Sequence, residues 1–253
     1  MTAPDTLAPV EPQRQLWGFW PTVGLSATIL VTFFAAQIAV SLVAFLVLLY
    51  SGGLGFQETL EAAASGLVLS LATIVSVPLG LLLVVVFIRL RGNISVADYL
   101  GFRRIKWGVV AILALLFVAM LAVVSIIGSY LGDSGDANFN TELYLSSGFP
   151  PLLWLAVVFL APLFEEVFFR GFLFVGLRAS RLGVIATVIL TSLLWAILHI
   201  QYNLFGITQI LGMGLILGTV RHKTDSLWGP LIIHALWNGV ATASVALYGN
   251  FGG

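Results

Sequence analysis

The chain of 253 residues contains no cysteine, and only 9% of its residues are charged. The absence of cysteine excludes disulfide bonds and thiolate chemistry, and it leaves the redox compartment open. Hydrophobic residues make up 60% of the chain, and the mean hydropathy is +1.08. This composition is typical of a polytopic membrane protein, in which the position of each charge matters more than the net charge.

Seven apolar segments reach or approach the length of about 20 residues that a helix needs to span a bilayer. They cover residues 25–50, 65–88, 107–131, 151–177, 182–199, 205–220 and 227–248, and the sixth is short and rich in glycine. The polar N-terminal stretch lacks the features of a cleaved signal peptide, so we expect the first segment to be retained. The predicted fold class is therefore all-α, a polytopic transmembrane helical bundle with about seven spans.

The charges between these segments predict how the chain crosses the membrane. If the N-terminus lies inside, ten of the eleven basic residues fall on the inner side: Arg14, Arg89, Arg91, Arg103, Arg104, Lys106, Arg178, Arg181, Arg221 and Lys223. The outer loops hold no Lys or Arg but several acidic residues: Glu58, Glu61, Asp133, Asp136 and Glu142. Because cytoplasmic loops collect Lys and Arg, we predict the N-terminus inside and the C-terminus outside.

The stretch FEEVFFR, residues 164–170, places two carboxylates and an arginine inside an apolar segment. Glu166 and Arg170 are four residues apart and share a helix face, so we expect a self-neutralising ion pair, in which arginine can donate two parallel hydrogen bonds. Glu165 points to another face and is predicted to be unpaired. Pro162, three residues earlier, tends to kink or open a helix, which would admit water beside Glu165.

Two later segments bring further polar groups into the membrane: His199 in the fifth, and His234 with Asn238 in the seventh. Intramembrane groups of this kind tend to face a bundle interior and to be functional. Glu165 and His199 can hold and activate a water, while His234 and Asn238 are potential donors to an oxyanion. Glu165, His199 and His234 are also ligands that suit zinc, so the residues alone leave both kinds of site open.

Three motifs together resemble those of a protease family. EEVFFR, WAILH and HALWN follow the patterns E-E-x-x-x-R, F-x-x-x-H and H-x-x-x-N of the CPBP (CAAX protease and bacteriocin-processing) family of intramembrane proteases, also called the Abi family. The resemblance covers about residues 150–245, and Trp195 stands where the family commonly has Phe. It implies a CAAX-type intramembrane endopeptidase in a cell membrane, which in a bacterium would be the cytoplasmic membrane.

The resemblance also implies roles for the candidate residues. Glu165 and His199 would activate the water, and His234 and Asn238 would stabilise the oxyanion. The pair formed by residues 166 and 170 would support the site. The implied reaction depends on glutamate and uses no cofactor, with a zinc metalloprotease as the alternative. The expected partners are the lipid bilayer and a membrane-bound peptide or protein substrate, and no nucleic acid.

Two other function classes fit the same residues. A non-catalytic membrane scaffold or immunity protein of the Abi type would keep Glu166 and Arg170 as a structural pair, and a proton-coupled transporter would use Glu165 as a proton carrier. On the protease interpretation the chain divides into a cytoplasmic tail over residues 1–24, N-terminal transmembrane helices with a basic inner loop over 25–149, and a catalytic transmembrane domain over 150–248.

Overall fold

The computed structural model describes residues 16–92, 94–131 and 137–248, with the side chains of residues 137 and 138 left out of the description. Within these ranges the chain is helical and contains no strand. Most of the predicted tail over residues 1–24, together with Arg14, Asp133 and Asp136, lies outside the described residues.

The described ranges contain ten helices. They are α1 (Phe19–Ser51), α2 (Phe56–Ala63), α3 (Gly66–Arg91), α4 (Val96–Leu100), α5 (Trp107–Leu131), α6 (Ala137–Leu145), α7 (Pro150–Arg178), α8 (Gly183–Ile197), α9 (Leu204–Thr224) and α10 (Trp228–Tyr248). Six of them, α1, α3, α5, α7, α9 and α10, are long and apolar enough to cross a membrane, and α8 is a shorter apolar helix. The predicted all-α transmembrane bundle is confirmed, whereas the orientation of its termini stays a prediction.

The lengths of the fifth and sixth segments differ from the prediction. The sixth is not short, because α9 runs for 21 residues, whereas α8 has only 15. The chain leaves the helical path after Ile197, so His199 lies in the turn that follows α8. The His199 side chain lies 2.8 Å from the carbonyl oxygen of Trp195, through its Nδ1 atom, and satisfies one of the last carbonyls of the helix.

Helix α7 forms the centre of the bundle, with residues 166–177 all buried. It packs against α1, α3, α8, α9 and α10. Two stretches of α7, Leu155–Leu160 and Glu166–Leu173, have the wider turn of a π-helix, with hydrogen bonds between residues five apart. Pro162 lies between them, and the helix continues through it. The predicted disturbance at Pro162 is therefore a change of helical register rather than a break.

Close packing fixes α7 against α1 and α3. The ring of Phe164 stacks on that of Phe33 in α1, with centroids 4.0 Å apart and planes 5° from parallel. On the other side the same ring lies directly over Gly80 of α3, where an added Cβ would collide with it. A larger residue at Gly80 would therefore displace the helix that carries the FEEVFFR stretch.

A buried arginine holds the basic end of the bundle together. Arg221, near the end of α9, is 1% exposed. Its Nε donates to the backbone carbonyl of Arg170 at 3.0 Å, its Nη2 to that of Leu100 at 3.2 Å, and its Nη1 to the Asp225 carboxylate at 3.1 Å. One side chain therefore links α4, α7 and the turn between α9 and α10.

The carboxylate of Asp225, in that turn, forms ion pairs with three arginine side chains. Arg221, Arg103 and Arg178 lie 3.1, 2.5 and 3.5 Å from its carboxylate oxygens. Burial raises the pKa of Asp225, but the hydrogen bond from Arg221 and the charges of Arg221, Arg103 and Arg178 outweigh it and hold the pKa below its ordinary value. A carboxylate with a lowered folded-state pKa stabilises the fold above its unfolded pKa, and this stabilisation is lost as the pH falls through the folded-state pKa.

Replacing Asp225 with asparagine tests this contribution. Asparagine tolerates the left-handed backbone of Asp225, whose φ is 48°, so the turn should be retained. We expect Asp225→Asn to lower the Tm at neutral pH, and the difference from the wild type to shrink below about pH 4 as the wild-type carboxylate becomes protonated. Thermal unfolding in detergent at several pH values measures this, with Glu61→Gln as a control for the loss of one exposed negative charge. A difference that stays constant with pH would contradict the assignment.

Candidate active site

Four residues of the three motifs line one cavity. The cavity has a volume of about 410 Å³, and its lining includes Glu165 from α7, His199 from the turn after α8, and His234 and Asn238 from α10. It extends along α10 past Thr242 and Ser244, away from the basic end where Arg221 and Asp225 lie. The four residues predicted to act on substrate and water are therefore neighbours in space, and their roles stay predictions.

Glu165 faces the cavity but does not lack a partner. Its side chain is 22% exposed. Its Oε2 accepts a hydrogen bond of 2.5 Å from Nε1 of Trp195, and the same oxygen lies 3.9 Å from Nε2 of His234. The expectation of an unpaired Glu165 is wrong, because α8 brings the indole N–H to it. The Oε1 atom is left to interact with water or substrate.

Glu166 forms the predicted pair with Arg170 and a second contact that the sequence did not predict. Its Oε1 accepts from Nη1 of Arg170 and from Nδ1 of His234, each at 2.8 Å, and both charged side chains are fully buried. A carboxylate can only accept, so Nδ1 of His234 carries a hydrogen. The arginine makes one hydrogen bond to the carboxylate and not two parallel ones, and Oε2 of Glu166 has no hydrogen-bond partner among the described residues.

The ring of Trp195 stabilises the guanidinium of Arg170, which has too few hydrogen-bond partners. The Nε and Nη2 atoms of Arg170 have no hydrogen-bond partner among the described residues. The guanidinium carbon lies 4.5 Å from the centre of the Trp195 ring, which attracts it through a cation–π interaction. The ring also meets the rings of His199 and His234 edge to face, at 5.2 and 5.1 Å between centroids.

Trp195 is thus the site residue that sequence reasoning missed. It appeared to be a conservative replacement of the phenylalanine that is common in the family motif. The available signal was the indole N–H, which phenylalanine lacks and which a buried tryptophan usually uses. Trp195, 1% exposed, both donates to Glu165 and covers Arg170, so it contacts both halves of the FEEVFFR stretch.

The hydrogen bond of His199 determines the state of its ring. Its Nδ1 lies 2.8 Å from the backbone oxygen of Trp195, and because a carbonyl only accepts, Nδ1 must carry a hydrogen. In the neutral ring the Nε2 atom then holds a lone pair. His199 lines the cavity with Glu165, so this lone pair is a candidate acceptor for a proton from water.

Asn238 has a structural hydrogen bond that leaves part of its amide available. Its Nδ2 donates to the carbonyl of Val157 at 2.9 Å. In the π-helical stretch before Pro162, each backbone N–H bonds to the carbonyl five residues earlier, as that of Ala161 does to Ala156. The carbonyl of Val157 would therefore pair with residue 162, but proline has no N–H to donate. Asn238 thus satisfies the carbonyl that Pro162 leaves without a donor. An asparagine amide has two hydrogens, so one remains for an oxyanion.

The donor set suggested for zinc is not preformed. Within the ranges that the structure describes, no three His, Cys, Asp or Glu side chains lie close enough together to hold a metal ion. Glu165, His199 and His234 line one cavity, but a nitrogen of each imidazole is already hydrogen-bonded. We therefore assign no step to a metal. The expectation of a reaction without a cofactor, with zinc as the alternative, stays a prediction.

Comparison with known proteins identifies this region. Residues 147–240 match the family model described as type II CAAX prenyl endopeptidase Rce1-like. Over these residues the chain is similar to the Rce1-like family. The matched region contains all six motif residues, and the match is consistent with the resemblance to the CPBP family of intramembrane proteases. The chain also carries several apolar helices long enough to span a bilayer, which together with this match indicate a multi-pass membrane protein.

One curated relative matches the chain in part. It is described as an uncharacterized 24.3 kDa protein of Escherichia coli, and it is 31% identical over 100 residues. The match covers 38% of this chain and 46% of the relative, so the chain spans less than half the length of that protein. No solved structure matches the chain.

Two replacements of Trp195 separate its contacts with Glu165 and with Arg170. Trp195→Phe keeps a ring beside Arg170 but removes the donor to Glu165, a hydrogen bond to a charged group worth about 1.5–3 kcal/mol. Trp195→Ala also removes the ring and leaves a cavity, at a cost of about 3–5 kcal/mol. We expect the Tm to fall in the order wild type, Phe variant, Ala variant, as measured by circular dichroism in detergent. Equal Tm values for the two variants would show that the ring does not stabilise Arg170.

Proposed function

We propose that the chain is an intramembrane endopeptidase that hydrolyses peptide bonds of a membrane-associated protein or peptide. The observation that carries the proposal is the position of Glu165, a partly exposed carboxylate at a cavity that His199, His234 and Asn238 also line. This arrangement lies inside the region that is similar to the Rce1-like family, whose description is that of a CAAX endopeptidase.

Glu165 and His199 activate the attacking water in this mechanism. The Trp195 hydrogen bond holds Oε2 of Glu165 in place, so Oε1 is free to accept from the water. The Nε2 lone pair of His199 accepts from the same water or takes its proton, since Nδ1 is bonded to the backbone. A positioned base of this kind contributes a factor of about 10²–10⁴ to the rate.

His234 and Asn238 stabilise the oxyanion that forms when water attacks the carbonyl. Asn238 offers the amide hydrogen that Val157 does not use. Because Nδ1 of His234 bonds to Glu166, the ring donates from Nε2 only when it carries two hydrogens. Preorganised donors in a site that excludes water are worth far more than the same donors in bulk solvent.

Both nitrogens of His234 lie near carboxylates. Its Nδ1 lies 2.8 Å from Oε1 of Glu166, and its Nε2 lies 3.9 Å from Oε2 of Glu165. In the proposed mechanism the ring carries both hydrogens when it donates to the oxyanion. Glu166 and Arg170 act here as positioning residues, because they hold His234 and do not reach the substrate.

The neighbouring glutamates provide a matched test of the proposal. Glu165→Gln should reduce turnover by about 10²–10⁴-fold and largely keep the Tm, since the glutamine carbonyl can still accept the hydrogen bond from Trp195. Glu166→Gln should destabilise the protein by about 3–5 kcal/mol, because it leaves Arg170 buried without its counter-charge. Turnover is followed by quantifying the membrane peptides that accumulate in cells with Glu165→Gln and by cleavage of those peptides with purified protein in vesicles.

Retained turnover in purified Glu165→Gln would exclude the glutamate-dependent mechanism. A biological effect that survives both Glu165→Gln and His199→Ala would instead favour the membrane scaffold or immunity protein. Metal analysis of the wild type, compared with Glu165→Gln, His199→Ala and His234→Ala, tests the zinc alternative. Bound zinc that all three replacements remove would support a metalloprotease.

A further inference from the structure

A second cavity opens between α5 and α9, beside the candidate active site. We call it the lateral groove, and it has a volume of about 650 Å³. Its walls are formed by residues three or four apart on the two facing helices, including Leu116, Met120 and Val123 on α5 and Gln209 and Gly212 on α9. Helix α5 packs mainly against α10, which leaves its side toward α9 open. Most of the side chains that line the groove are apolar.

The lateral groove is continuous with the cavity that contains Glu165. Val124, Gln209, Met213 and Trp237 line both. A molecule that lies in the groove therefore reaches the candidate catalytic residues without crossing a further barrier. The shared wall also contains a polar side chain with a buried donor that makes no hydrogen bond among the described residues.

That side chain is Gln209. Its Nε2 atom is buried and has no hydrogen-bond partner among the described residues. Burying an amide N–H without an acceptor in an apolar medium is unfavourable, so such a group needs an acceptor from elsewhere. The neighbouring Thr208, in contrast, donates to the backbone carbonyl of Phe205 at 2.7 Å. The unmet need for an acceptor is therefore specific to Gln209.

The chemistry of this wall distinguishes between the two kinds of apolar molecule that a membrane offers. A hydrocarbon tail fills an apolar groove but provides no acceptor for Gln209. A helical segment provides none either, because its carbonyls bond within the helix. A polypeptide segment that is unwound near the bond to be cleaved exposes backbone carbonyls, and its apolar side chains fit the rest of the groove.

We propose that the lateral groove binds an apolar, membrane-embedded segment of the substrate polypeptide, and that Gln209 donates to a backbone carbonyl where this segment is unwound. The inference rests on the proposed endopeptidase function and adds a route and a selection rule to it. Substrates enter from the lipid between α5 and α9, and a segment that unwinds easily is preferred to a continuous helix. Gln209 is then a specificity-determining residue.

The absence of cysteine from the chain permits a direct crosslinking test. Gly212 in the groove and Gly24 on the exposed side of α1 each have room for a side chain, because an added Cβ would meet no atom within 4 Å. Single variants Gly212→Cys and Gly24→Cys, each combined with Glu165→Gln, are placed in phosphatidylcholine vesicles. The probe is a synthetic Leu/Ala peptide of about 20 residues with a central Gly-Pro break and one adjacent cysteine.

Disulfide formation after mild oxidation reports where the peptide lies. We expect Gly212→Cys to crosslink at least about tenfold faster than Gly24→Cys, equal to a preference of about 1.4 kcal/mol for the groove. Equal rates at the two positions would overturn the proposal and would indicate that lipid occupies the groove. Thermal unfolding of both variants verifies that the bundle is intact.

The role of Gln209 is tested on the Gly212→Cys background. The peptide with the Gly-Pro break should crosslink several-fold faster than an unbroken Leu/Ala peptide of equal length. Gln209→Leu should abolish that difference, whereas Thr208→Val, a polar-to-apolar change in the same groove, should preserve it. A preference for the broken peptide that survives Gln209→Leu would overturn the assigned role.

Different experiments test the lateral groove and the endopeptidase function. Crosslinking requires no turnover, so loss of the preference for Gly212→Cys would overturn the groove even if the protein is a protease. Full proteolysis by Glu165→Gln would overturn the catalytic assignment and leave the crosslinking result intact.

Discussion

One oxygen atom, Oε1 of Glu166, joins the two helices that carry the candidate site. It accepts hydrogen bonds from Arg170 on α7 and from His234 on α10, both at 2.8 Å. Neither a carboxylate nor a guanidinium remains charged in an apolar interior without a partner. Helix α7 can therefore occupy the centre of the bundle only with this contact formed, and the contact in turn determines which face of α10 points at the cavity. Trp195 extends the arrangement to α8 by stacking on Arg170.

Side chains from neighbouring helices donate hydrogen bonds to backbone carbonyls of α7. In its two π-helical stretches, side chains from other helices bond to the carbonyls: Asn238 to that of Val157, and Arg221 to that of Arg170. Wide turns of this kind are frequent at functional sites, because they change the direction of side chains within a helix. Here the two stretches flank Ala161–Glu165, the segment that ends at the candidate catalytic carboxylate.

The proposed hydrolysis within a membrane places two different demands on the site. Water has to reach Glu165, and the cavity supplies polar side chains along α10, among them Asn238, Thr242 and Ser244. The substrate has to arrive from the lipid, and the apolar groove between α5 and α9 joins the cavity from the side. On this proposal, separate routes for water and for an apolar segment let the two meet at one carboxylate.

The sequence by itself determined the features that depend on local spacing and on composition. Long apolar segments predicted the helices, because hydrocarbon requires every backbone group to be satisfied within the segment. The four-residue spacing predicted the pairing of Glu166 with Arg170, because these positions share a helix face. The three motifs predicted that Glu165, His199, His234 and Asn238 would meet at one site.

Only the tertiary structure decided which atoms meet between helices. The Trp195 donor to Glu165, the His234 donor to Glu166 and the bond from Asn238 to Val157 join residues 30, 68 and 81 positions apart. The register of α7 also escaped prediction, since the response of a helix to Pro162 depends on whether a neighbour can satisfy the freed carbonyl. The spacing of residues within a helix predicts which side chains share a face. The partners of those side chains on other helices depend on how the helices pack.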